Sequence, residues 1–209
     1  MKDRSKVWES LIYPTMFVVI LWVVKITEML MGVDLGYLGI LPRTIPGMLG
    51  IFTAPLIHGD LYHLYSNTLP LLILGMIIVY FYNSIAFEIF FWVYFMTGTW
   101  VWAAANGDGY HIGASGLIYG FVSFLFFSGL FRNDKKAMAL SLLVTFVYGG
   151  LVWGLFPFSY GVSWESHFFG ALAGCLCAWF YRKSESSRKA TNAEVETNNQ
   201  STRQPKDNP

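Results

Sequence analysis

Six long apolar stretches, at about 11–31, 61–81, 86–105, 115–131, 137–156 and 166–181, leave this chain few choices of fold. Each is long enough, or nearly so, to cross a ~30 Å hydrocarbon core as a helix. That core offers no water to backbone N–H and C=O groups, so a spanning segment must satisfy them internally, as a helix does. Only 13% of the 209 residues are charged, against ~25% in a soluble domain. The sequence predicts an all-α membrane protein with six transmembrane helices.

Basic residues set the expected orientation. Lys2, Arg4 and Lys6 precede the first stretch, Arg132, Lys135 and Lys136 separate the fourth from the fifth, and Arg182 and Lys183 follow the sixth; the alternate loops hold Arg43 alone. Lys and Arg stay cytoplasmic during insertion, so both termini are expected in the cytoplasm, with 32–60, 106–114 and 157–165 outside. Residues 1–10 form a short cytoplasmic segment, too short and, with Asp3 and Glu9, too acidic for an organellar transit peptide. A plasma membrane, the inner membrane in a bacterium, is the expected location. Residues 11–183 form the helical domain. Residues 184–209, rich in Ser, Thr, Asn and Gln, are expected to be a disordered cytoplasmic tail. A net charge of +1 argues against a nucleic-acid partner. Lys25 and Glu28 are expected to pair or to snorkel. Cys175 and Cys177, about 200° apart on a helix, read as packing residues. The apolar, proline-broken segment from Gly32 to Ile57 is expected to lie against the bundle at the membrane surface, with Arg43 reaching lipid headgroups.

Chemistry concentrates in three places. Gly113-Ala114-Ser115-Gly116 lies where a glycine-rich loop turns into an apolar helix, so the Ser115 hydroxyl and its own N–H point into one region. From Ser115 to Phe131 the helix has ~25 Å of length against a ~30 Å core, which sinks Ser115 below the membrane surface. In the second stretch His63 and Asn67, four apart, share a helix face. Asn67 lies too deep to face lipid and must point inward, where an interhelical hydrogen bond is its ordinary use. His58 and His63, five apart, would diverge by about 140° on one helix, unlike the i, i+4 histidines of a zinc protease.

Gly116-x-x-x-Gly120 in the fourth stretch and Gly170-x-x-x-Gly174 in the sixth are small-residue patterns that let helix backbones approach closely. Docking them brings His167, three before Gly170, toward Ser115. A histidine beside a serine takes the hydroxyl proton during attack and returns it to the leaving amine.

These pieces, in this order, resemble the rhomboid family of intramembrane serine proteases over roughly residues 11–181. The resemblance implies a six-helix rhomboid-like bundle in which Ser115 is the nucleophile and His167 the general base, a dyad without an acidic third member. It assigns the oxyanion hole to Asn67, His63 and the Ser115 N–H. Tyr119 stacks on His167, and His58, Gly113, Gly116, Gly170 and Gly174 support the site. Substrates are then single-span membrane proteins whose outer ends unwind easily, and no metal or other cofactor is required. Alternatives are a catalytically silent rhomboid-like protein that binds transmembrane segments, a transporter using the same polar interior, a metal site from the four histidines, and a triad completed by Asp108 or Glu165.

Overall fold

The computed structural model describes residues 2–107, 109–132, 134–157 and 163–183, with side chains from residue 6 onward. Asp108 and the 184–209 tail lie outside the described residues. Among those described there are seven α-helices and no strand: α1 Lys2–Met31, the single turn α2 Gly50–Thr53, α3 Leu61–Phe81, α4 Ala86–Ala104, α5 Ser115–Arg132, α6 Lys135–Tyr148 and α7 Trp164–Phe180.

Among the described residues, five helical segments are long and apolar enough to cross a membrane: Lys6–Met31, Leu61–Phe81, Asn83–Ala104, Ser115–Arg132 and Lys135–Leu155. The sixth expected stretch folds as α7, whose 17 residues span only ~25 Å. The fifth differs from a continuous helix as well: α6 ends at Tyr148, and Gly149–Leu155 continues as a 3-10 helix. Gly149 and Gly150 sit at that junction, where glycine weakens the α conformation.

Of the five, α5 is the most buried. It packs chiefly on α7, then on α6, α3 and α4. The small-residue patterns account for the α5–α7 contact. A Cβ on Gly170 would strike the Gly116 carbonyl, and one on Gly174 the Gly120 carbonyl, so the two backbones touch directly. Around this contact Leu64, Leu74, Ile89, Val93, Phe124 and Leu125 are fully enclosed.

The segment between α1 and α3 folds as a chain of short turns packed on the bundle, as its apolar content requires. Tyr94 Oη donates to the Phe52 carbonyl, Ile40 and His111 exchange backbone hydrogen bonds of 2.9 Å, and Gly113 N donates to Ala54 O at 2.9 Å. Arg43 is exposed and is also tied to α4. It adopts φ +57°, donates its backbone N–H to Trp102 O at 2.8 Å and its guanidinium to Ala105 O at 2.5 Å. These carbonyls at the end of α4 fix the backbone and one side of the guanidinium.

Lys25 and Glu28 do pair, at 2.8 Å, and both are buried. The ammonium also donates to His58 O at 2.9 Å and Gly59 O at 3.0 Å, while Glu28 accepts from Leu35 N at 3.0 Å. The pair therefore clamps the end of α1 to the residues that lead into α3. Cys175 and Cys177 are free thiols.

Candidate active site

Ser115 is the first residue of α5, so its N–H has no intrahelical acceptor. His167 lies one turn into α7. With the glycine faces of α5 and α7 in contact, His167 Nε2 stands 2.8 Å from Ser115 Oγ. His167 Nδ1 stands 2.9 Å from the Gly154 carbonyl oxygen. A carbonyl only accepts, so Nδ1 carries the proton, and Nε2 is left to accept from the serine hydroxyl. Tyr119, one turn along α5 from Ser115, stacks on the imidazole with ring centres 4.1 Å apart and planes 8° from parallel.

Glu165 does not take the third-member position: Gly154 O occupies the nitrogen that such a residue would engage; Asp108 lies outside the described residues. Sequence reading missed Gly154. The signal was present, since three glycines within six residues of an otherwise apolar stretch mark a break in the helix.

Ser115 and His167 open into a cavity of about 680 Å3 that Asn67, His63, Ser163 and Glu165 also line. Asn67 faces inward and is buried, but it makes no interhelical bond: its side-chain N–H2 has no hydrogen-bond partner among the described residues. That donor is therefore free to bond to a group that enters the cavity. His63 lies against Gly113, where a Cβ would come within 2.6 Å of Nε2; Gly113 has φ +104°, a conformation that glycine alone adopts readily.

His58 departs from the helical-wheel expectation. The helix starts only at Leu61, capped by Asp60, whose carboxylate accepts from His63 N at 2.7 Å. His58 belongs to the extended approach, and its ring meets His63 edge to face at 4.9 Å. Its Nε2 accepts from Ala114 N at 3.4 Å, beside the serine. Burial, and then the neighbouring His63, push its pKa down to about 4, so it is neutral at physiological pH.

A second histidine–serine contact also went unanticipated. His111 Nδ1 lies 2.6 Å from Ser163 Oγ, which in turn lies 2.6 Å from Ser166 Oγ. Ser163 caps α7, so this chain ties the start of the histidine-bearing helix to the loop before Ser115. Among the described residues no three His, Cys, Asp or Glu side chains gather as metal ligands.

A family model of the Rhomboid domain matches residues 46–184. The chain belongs to the rhomboid family and, with its five long apolar helices, is a multi-pass integral membrane protein. Proteins of Mycobacterium bovis and Mycobacterium tuberculosis are 36% identical to it over 186 residues, 83% of this chain and 76% of theirs. One from Mycobacterium leprae is 33% identical over the same span, covering 72% of its length. All three are described as uncharacterized proteins.

Proposed function

We propose that the chain is an intramembrane serine endopeptidase that cuts peptide bonds in or near the transmembrane segments of single-span proteins. The observation that carries this reading is the linear arrangement Gly154 O, His167, Ser115 Oγ, with separations of 2.9 and 2.8 Å. It gives the imidazole the tautomer and the aim of a general base.

In the proposed reaction Ser115 Oγ attacks the scissile carbonyl carbon while His167 Nε2 takes the hydroxyl proton. The negative charge that develops on the carbonyl oxygen is met by the Asn67 amide, His63 and the Ser115 N–H. The imidazolium then gives its proton to the leaving amine, and water entering through the cavity hydrolyses the acyl-serine by the reverse sequence. One oxyanion donor of this kind is worth about 2.7–4 kcal/mol in kcat. A peptide bond within a helix is closed to attack and internally bonded, so the substrate must unwind locally first.

The proposed topology has α7 as a sixth crossing. Its short length matches the depth at which Ser115 and His167 would sit, and the basic residues at both ends of the chain favour two cytoplasmic termini in a plasma membrane. The test is cleavage of a generic single-span substrate in liposomes. The wild-type chain should cut, while Ser115→Ala and His167→Ala should not. Cutting that survives Ser115→Ala contradicts the mechanism, and substrate retained but never cut would favour a silent binder of transmembrane segments.

A further inference from the structure

Glu165 has no part in the dyad, yet it is buried at the same cavity. It lies in the first turn of α7, is 7% exposed and lines the space shared by Ser115 and His167. Among the described residues, no hydrogen bond or ion pair is made to its carboxylate. A first-turn carboxylate that only complements the helix dipole does so from the surface. Its carboxylate oxygens are not among the fully buried atoms left without a partner; they face the cavity, where a cationic group entering from outside can pair with them.

Residues 165 and 167 are two apart and so point about 200° apart around α7. Glu165 lines the same cavity as Gly109, Tyr110, His111 and His167, and it acts electrostatically on both the His111 and the His167 rings. Asp60 is the other acidic group among the described lining residues, and it is occupied by the His63 N–H. Among the described lining residues there is no Lys or Arg, so the charged side chains that line the space are the carboxylates of Asp60 and Glu165.

Resting on the protease reading above, we infer that Glu165 forms a subsite for a lysine or arginine side chain of the protein being cut. That residue lies a few positions from the scissile bond, within the cavity that Glu165 shares with Ser115 and His167. A carboxylate offers acceptors on both oxygens, and a guanidinium or ammonium entering the cavity supplies charge-assisted bonds to them.

The test uses the full chain in liposomes and a single-span substrate in which lysine, alanine or glutamate is walked through the residues flanking the cut. At one flanking position the wild type should favour lysine over glutamate by about tenfold or more in kcat/KM. E165Q should bring that ratio toward one, E165D should keep part of it, and E165K should reverse it. A lysine to glutamate ratio near one at every position overturns the subsite while leaving the protease intact, and it does so from the wild-type data alone, whatever the stability of the variants. A preference that E165Q leaves unchanged overturns the assignment to Glu165. Failure to cut any member of the panel overturns the protease reading, and this subsite with it.

Discussion

A Cβ at position 154 would land on the Tyr119 hydroxyl and 3.2 Å from His167 Nδ1. This glycine thus does two things: its carbonyl fixes the imidazole tautomer, and its missing side chain leaves room for the Tyr119–His167 stack. Gly154→Ala should lower kcat by about 10²-fold, since a displacement of ~1 Å in a catalytic group costs that much, with little change in KM. Gly150→Ala, where nothing lies within 4 Å of the added carbon, should stay near wild type. Equal losses in both would mean that the 3-10 segment, not the contact at 154, is what matters. The buried histidines give a second expectation at this scale. An unfolded histidine takes up its proton near pH 6.5, whereas folded His58 does so only at about 4. Between those values the unfolded chain binds the extra proton, so stability rises with pH. The contribution is intact above about pH 6.5 and is lost progressively as pH falls toward 4. Burial lowers the pKa of His111 as well, against the raising effect of Glu165. Unfolding in detergent should occur more readily at pH 5 than at pH 7, and His58→Asn should flatten the difference; an unchanged pH profile in that variant would contradict the assignment.

Among the elements, α1 does more than pack. Its Lys25–Glu28 pair holds the His58 and Gly59 carbonyls, and those residues set the start of α3, the Asp60 cap and the place of His63. Removing one member of a buried pair leaves the other charge uncompensated and costs about 3–5 kcal/mol, whereas replacing both by apolar residues of similar size is far milder. Lys25→Met should therefore unfold much more readily than the double variant Lys25→Met/Glu28→Leu, as read by denaturation in detergent. If the double variant is the less stable of the two, the bonds to His58 and Gly59 outweigh the pairing. The α5–α7 contact is the other element on which the site depends. It needs Gly116, Gly120, Gly170 and Gly174 as a set, because each added Cβ would meet backbone or a packed side chain across the interface.

For the molecule as a whole, the parts visible in the sequence were those governed by a period. Hydropathy marked the long helices. The four-residue spacing of the small residues brought Ser115 and His167 together because α5 and α7 follow it faithfully. What escaped was set by chain that follows no period. His58 reaches His63 because the helix begins three residues after it, the His111–Ser163 contact joins two loops, and Gly154 acts through a 3-10 turn inside an apparent helix. The α4 contacts of Arg43 escaped for the same reason: the carbonyls come from the end of α4, some 60 residues further along the chain. The family match begins at residue 46, so the bracing from α1 lies outside the matched domain.

The central claim, that Ser115 is an activated nucleophile, can be read without a substrate. The purified chain is treated with a fluorophosphonate, which reacts at serine hydroxyls activated by a base, and the intact protein and its peptides are weighed. One adduct should appear on Ser115, fall sharply in His167→Ala and vanish in Ser115→Ala. An adduct on Ser163 or Ser166 instead, or labelling of Ser115 that does not depend on His167, would contradict the account.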